Sequence, residues 1–315
     1  MSNRNGGKIN TNPYSNCLEI SEFEDIVELF NENLVDTNRD HNFFVDWEKV
    51  ENNVNKFKSE FELLNSLIGC ENFDDELKEI IQEKPSVICS IPILIANRDL
   101  KFKVIEDFSD PDTNIIEYNC KNRIFTDEEI DKTIDLVEKT GLKNFIQNSI
   151  DGNLYDFALG IETGMDTHAR KNRSGKAMEL VLKPLIEEIS ENNDYEMFFQ
   201  KKFKILEEEY EIDVPTSIRN RRADFILVNT DSKVINIEVN FYTGTGSKPQ
   251  EIVDSYINRQ MDLEEAGFEF IWVTDGDGWK GQQNQIKKGF RRVNYLLNLH
   301  FVRKGLLEEI INDLV

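Results

Sequence analysis

Apolar positions recur at two different intervals along this chain, and the change of interval divides it. Over residues 1–150 the spacing is helical. Ser21-Glu22-Phe23-Glu24 has the spacing of a capping box, and Phe23, Ile26, Val27 and Phe30 follow on one helical face. Trp47, Val50, Val54, Phe57, Phe61, Leu64 and Ile68 then recur in alternating steps of three and four, with Gly69 as a stop. That stripe predicts a helix of about six turns. It packs on the core or serves as a dimerisation helix, although about three heptads are marginal for a coiled coil. The run 85–97 (PSVICSIPILIAN) is too short to span a membrane and reads as buried. Thr126 to Glu129 offers a second capping box, ahead of Ile130, Ile134 and Val137.

Beyond residue 155 the pattern changes. A loop with several basic residues, 165–173, precedes a helix from about Ser174, which Pro184 should bend or end. ADFILVN (223–229) and KVINIEVNFY (233–242) read as strands joined by a turn at Asp231-Ser232. Gly244 and Gly246 make a loop, and a helix is predicted from Pro249 to Glu265, stopped by Gly267. FEFIWVT (268–274) is a third strand, followed by an Asp275-Gly276-Asp277-Gly278 turn and a basic helix. The order helix, strand, strand, helix, strand, helix predicts an α/β fold with a mixed sheet flanked by helices. The expected division is a flexible tail at 1–16, a mostly helical region at 17–150 and an α/β core at 151–315, with the Asp151-Gly152-Asn153 turn at the boundary.

Composition narrows the class. Hydrophobic residues make up 39% and charged residues 31%, which suits a folded globular chain. There is no stretch fit to be a transmembrane helix, and the polar start lacks the apolar core of a secretory signal. The four cysteines, Cys17, Cys70, Cys89 and Cys120, contain no CxxC pair, so a zinc cluster or disulfide framework is not expected. These features point to a cytoplasmic protein. A net charge of −23 argues against indiscriminate binding to nucleic acid. Yet Gly278 to Gly305 holds no acid and seven cations, Lys280, Lys287, Lys288, Arg291, Arg292, Arg303 and Lys304. Screening over about 8 Å lets such a local face act despite distant acid.

The chemistry gathers around the two predicted strands. Asp224 begins the first, and Glu238 and Asn240 lie on the second. Alternate strand residues face one way, so Glu238 and Asn240 point to one side about 7 Å apart. Asp224, Glu238 and the Val239 carbonyl could hold a hard divalent cation, which would polarise a phosphate and activate water. The spacing alone is weak, since Asp and Glu supply 60 of 315 residues. Context adds to it: Ile235, Ile237, Val239 and Phe241 alternate with Asn236, Glu238 and Asn240, leaving Glu238 on a polar face that is open to solvent or lines a site. Glu179, about one turn into the preceding helix, is a third carboxylate able to reach the metal or its water. Lys171, Asn172, Arg173, Ser174 and Lys176 could contact phosphates or read bases, and Arg219, Arg221 and Arg222 precede the Asp224 strand. No P-loop, HExxH or complete dinucleotide fingerprint occurs, and His41, His168 and His300 have no sequence partners that suggest catalysis.

GMDTHARKNRSGKAMEL (164–180), RRADFIL (221–227), NIEVNFYTGTGSKPQE (236–251) and FIWVTDGDGW (270–279) resemble the DpnII/MboI family of GATC-specific type II restriction endonucleases, most closely over 155–300. The resemblance implies a PD-(D/E)xK-type core, with Asp224 and Glu238 as the Mg²⁺-binding pair. Asn240 stands where most PD-(D/E)xK nucleases carry lysine. The missing positive charge must then come from a metal or another basic residue, Lys248 being one candidate. The resemblance further implies a homodimer acting on double-stranded DNA at GATC, blocked by adenine methylation, with a cognate methyltransferase protecting the host. Two rivals remain at this level: a repair-type nicking nuclease with the same core, and a non-enzymatic acidic interaction protein or DNA mimic.

Overall fold

The computed structural model describes residues 12–20, 22–106, 114–167, 170–243 and 249–314, with the backbone alone at 12, 170–172 and 174. The described residues form two compact units. One is His41–Arg170, and the other takes in the chain up to Asp40 together with Lys171 onward.

In the His41–Arg170 unit the predicted six-turn stripe is broken. Helices Trp47–Asn55 and Lys58–Leu64 are followed by a 3₁₀ turn, Asn65–Leu67, and Gly69 sits at φ +69°. Val50, Val54, Phe61 and Leu64 face inward, whereas Trp47 is 61% exposed, so the stripe packs on a core only in part. Thr126 caps helix Asp127–Lys139 with both bonds of the predicted box. The run from Pro85 becomes a 3₁₀ segment and a short helix, Ile91–Leu94, with Val87 to Leu94 buried. An antiparallel hairpin of β1 (Lys101–Ile105) and β2 (Ile115–Asn119) adds a sheet to the region expected to be helical.

The other unit holds a five-stranded sheet: β3 (Tyr195–Phe199), β4 (Phe225–Asn229), β5 (Val234–Phe241), β6 (Glu269–Asp275) and β7 (Tyr295–Leu297), in that spatial order. β3, β4 and β5 pair antiparallel, while β5, β6 and β7 pair parallel, so the sheet is mixed. Each parallel step needs a crossover. Helix Pro249–Glu265 supplies the first, within the predicted bounds, and Gln283–Arg292 supplies the second. β3 and β7 complete the three strands expected from sequence.

Helix Arg170–Asn192 begins inside the expected basic loop and runs on through Pro184. Pro184 and Leu180, whose carbonyl a proline cannot bond, are both exposed, so the break in the helix ladder falls on a wet face. Met178, Leu182 and Ile186 hold the opposite face in the core. The early chain contributes to the same core. Helix Asn12–Leu18 buries Tyr14, whose hydroxyl bonds both the carbonyl and the N–H of Leu296 at 3.0 Å. That helix lies partly within the expected tail, and residues 1–11 lie outside the described residues. Helix Phe23–Glu32 follows, with Glu22 at its N-cap and Ser21 outside the described residues. Its Phe30 meets Phe290 edge-on at 5.4 Å, so this helix of the expected 17–150 region packs with the sheet unit. No described helix is long and apolar enough to cross a membrane.

Candidate active site

Phe225 opens β4 opposite Ile237 of β5. One further step of that register sets Asp224 opposite Glu238, so both carboxylates start from the same face of neighbouring strands. Asp224 Oδ2 accepts the Val239 N–H at 2.8 Å, a bond that locks the end of the ladder to the side chain.

A residue that the sequence did not single out joins this pair to Glu179. Gln200, just past β3, donates Nε2 to Glu179 Oε2 at 2.6 Å and to Asp224 Oδ1 at 2.9 Å. Its own N–H bonds the Asp224 carbonyl at 2.9 Å. Gln200 sits at φ +54°, a left-handed conformation that costs a non-glycine residue about 1 kcal/mol or more and persists only where the surroundings impose it. The Gln200 amide thus ties helix Arg170–Asn192 to Asp224 at the head of β4, and Asp224 in turn is tied to β5 through the Val239 N–H.

Burial, then the neighbouring Asp224, pushes the Glu179 carboxyl up to about 7. Asp224 is also raised by burial, against the opposing pull of the Val239 N–H and Arg259. Two half-desolvated carboxylates therefore face each other with too little positive charge between them.

Glu238 is 3% exposed and Asn236 is fully buried, so the polar face of β5 is not open. Helix Pro249–Glu265 covers it. Arg259 from that helix forms an ion pair with Glu238, and Tyr256 stacks on Trp272 of β6 at 4.4 Å with planes 13° apart. Asn236 Nδ2 bonds the Phe225 carbonyl at 3.0 Å and Glu238 Oε1 at 3.3 Å. The side-chain oxygen of Asn240 accepts the Trp272 indole N–H at 2.6 Å. The period-2 pattern locates Asn236 and Glu238, but nothing in it identifies Arg259 or Tyr256 as their cover.

The donor set suits a hard cation, being all oxygen. The raised Glu179 and Asp224 show the charge imbalance that a divalent ion would remove. Among the described residues, however, no three metal-ligating side chains converge on one point. Arg259 occupies Glu238, and the Gln200 amide stands between the other two carboxylates. Asp224 and Glu238 fit the role in chemistry and register, and a bound cation would compete with Arg259 for Glu238.

The expected DNA-contacting residues divide. Lys171, Asn172, Arg173, Ser174 and Lys176 fall on the first turns of helix Arg170–Asn192, not in a loop. Lys176 is exposed and Arg173 half-buried; at 171, 172 and 174 only the backbone is described. Lys176 and Arg222 both act electrostatically on Glu179, which keeps them near the carboxylates. Arg222 donates Nε to the Gln200 carbonyl at 3.1 Å. Arg219 and Arg221 are instead paired, with Glu207 at 2.6 Å and Asp262 at 2.5 Å. Lys248, Gly244 and Gly246 lie outside the described residues, as does His168. The acid-free stretch 278–305 is less basic in space than in sequence, because acids from other elements meet it: Lys280 pairs with Asp36, Lys287 with Glu24 and Lys288 with Asp254.

A family model described as DpnII restriction endonuclease matches residues 26–309. The chain is 39% identical over 284 residues to the type II restriction enzyme MjaIII of Methanocaldococcus jannaschii, covering 89% of this chain and 97% of that protein. It is 32% identical over 286 residues to the type II restriction enzyme DpnII of Streptococcus pneumoniae, covering 88% and 95%. Over 289 residues it is 27% identical to the type II restriction enzyme MboI of Moraxella bovis, covering 90% and 95%. No solved structure matches the chain.

Proposed function

The chain belongs to the DpnII restriction endonuclease family, a family of type II restriction enzymes, and we propose that it hydrolyses both strands of DNA at unmethylated GATC in a Mg²⁺-dependent reaction. The observation that carries this reading is the Asp224–Glu238 register across β4 and β5, with Glu179 tied to it through Gln200. Carboxylates on adjacent strands beside a helix-borne glutamate suit the PD-(D/E)xK arrangement.

Asp224 and Glu238 are the residues that would hold Mg²⁺. The ion would supply Lewis-acid polarisation of the scissile phosphate and a lowered pKa for bound water. Glu179 takes the place beside the attacking water and can receive its proton. Gln200 fixes the orientation of Glu179 and Asp224 together. Asn240, neutral and held by Trp272, positions by hydrogen bonding and supplies no charge. Helix Pro249–Glu265 keeps bulk water from Glu238. In the net step, water adds to phosphorus and one P–O ester bond breaks.

For recognition we assign Asn172 and Arg173 to adenine and guanine edges, and Ser174, Lys171, Lys176, Arg219, Arg221, Arg222 and Lys248 to the backbone. Arg219 and Arg221 would have to exchange their carboxylate partners for phosphates. A methyl on adenine N6 fills the major-groove edge that Asn172 would bond, so adenine methylation blocks cutting. GATC is its own complement, and a two-fold homodimer offers one reaction centre to each strand. The host needs a matching adenine methyltransferase, and the enzyme acts in the cytoplasm.

Digestion of one plasmid, prepared with and without methylated GATC adenines, tests the proposal. Discrete GATC-map fragments are expected from unmethylated DNA with Mg²⁺, and none with EDTA. Another fragment map would overturn the site assignment, and absence of cutting with Mg²⁺ or Mn²⁺ would overturn the activity.

A further inference from the structure

In a chain of net charge −23, Arg219, Arg221, Arg259, Lys280, Lys287 and Lys288 are each paired with an acid. One group around the reaction centre is not. A hollow of about 380 Å³ is lined by Gln200, Lys201, Lys202, Lys204, Glu208 and Arg222 among its residues. Lys204 and Glu208 neutralise each other at 2.8 Å. Lys201, Lys202 and Arg222 are exposed and have no carboxylate partner among the described residues. A backbone bridge between Lys202 and Arg222 fixes their side-by-side placement. The wall they share with the reaction centre is Gln200, whose carbonyl Arg222 bonds and whose amide holds Glu179 and Asp224.

We propose that Lys201, Lys202 and Arg222 form a phosphate subsite, which holds the DNA backbone one or two nucleotides from the bond being cut; this rests on the nuclease reading above. Three exposed cations, none in an ion pair with a carboxylate among the described residues, leave a local positive field that a polyanion's phosphates fit. Because Arg222 and Gln200 bond each other directly, a phosphate seated here sets the register of the strand against the carboxylates without touching a base. Lys201 and Lys202 thereby acquire a role that no sequence motif marks. They follow β3, a strand the chemistry motifs do not include, and they lie about 20 residues from Arg222 in sequence.

The test uses the full-length protein and a GATC duplex, with Ca²⁺ in place of Mg²⁺ so that binding is measured without cleavage. Each lost phosphate contact should flatten the dependence of log affinity on log salt by about 0.9. Lys201→Ala/Lys202→Ala should therefore lower the slope by about 2 and weaken binding roughly tenfold at moderate salt, with its circular dichroism unchanged. A parallel Lys287→Ala/Lys288→Ala variant, whose lysines are paired with Glu24 and Asp254, should leave the slope unchanged. Neutral methylphosphonates placed in turn along the duplex should weaken wild-type binding at one or two positions beside the cut, and that penalty should shrink in Lys201→Ala/Lys202→Ala to what Arg222 alone supplies. Wild-type binding with an unaltered slope in that variant overturns the subsite alone. Failure of the wild type to bind duplex DNA overturns both the subsite and the nuclease reading.

Discussion

Arg259 reaches from helix Pro249–Glu265 onto the carboxylate of Glu238, and the pair is 27% and 3% exposed. Such a pair adds little net stability compared with apolar residues, but removing one partner strands a buried charge. Arg259→Ala is expected to cost about 2–3 kcal/mol in urea unfolding, less than a fully buried pair because Arg259 is partly wet. In a Glu238→Gln background the same change should cost about half as much or less, since no charge is then left behind. Equal costs in both backgrounds would mean that the pair contributes nothing specific.

Asp224 is expected to be indispensable for cleavage and dispensable for DNA binding. Asp224→Asn keeps an oxygen for the Val239 N–H, so the end of the β4–β5 ladder survives. The charge needed for a hard cation is lost, which should lower the cleavage rate at least about a hundredfold. Binding to a GATC duplex in EDTA should stay within about threefold of wild type, since without a cation Asp224 offers the DNA nothing but repulsion. Full cleavage by this variant would remove Asp224 from the metal role.

The sequence was most legible where one physical rule acted alone. The Pro249–Glu265 helix and the Thr126 capping box appear as expected, because each is decided by residues next to one another. Glu238 and Asn236 were placed on a common face by strict alternation, but their burial depends on a helix that arrives after a crossover. Alternation carries no information about that cover. Gln200 was invisible for a related reason: its partners Glu179 and Asp224 lie 21 and 24 residues away, and a lone glutamine after a short strand has no signature. The basic stretch misled because its counter-ions, Asp36, Glu24 and Asp254, come from distant segments. β7, three residues long, is too short for its period to be read.

Asn240 is held by Trp272, and this bond can be measured directly. The indole is fully buried, so deleting its acceptor leaves an N–H without a partner. Asn240→Ala is expected to destabilise the fold by about 1–3 kcal/mol. In a Trp272→Phe background, where no N–H remains, the added cost of Asn240→Ala should fall below about 1 kcal/mol. Unfolding curves followed by circular dichroism report both values, and additive costs would show that the bond is not made in solution.

Glu179 joins activity to an opposite effect on stability. Burial and Asp224 raise its carboxyl from 4.5 to about 7 in the folded chain. Below the unfolded value both states are protonated and the group has no effect. As pH rises toward 7, the unfolded chain ionises first, so the folded state loses ground, and above 7 the loss is complete. Glu179→Gln removes the ionisation and keeps an oxygen for the Gln200 amide. The metal-free variant should therefore match wild type at pH 4.5 and exceed it at pH 8, by on the order of 2 kcal/mol after allowance for partial exposure. Cleavage with Mg²⁺ should fall sharply in the same variant, because the group that costs stability is the one proposed to take the proton from water. Thermal unfolding across this pH range, in EDTA, separates the two effects. A stability difference that shrinks toward high pH would reverse the sign of the argument and place Glu179 in a favourable ion pair instead.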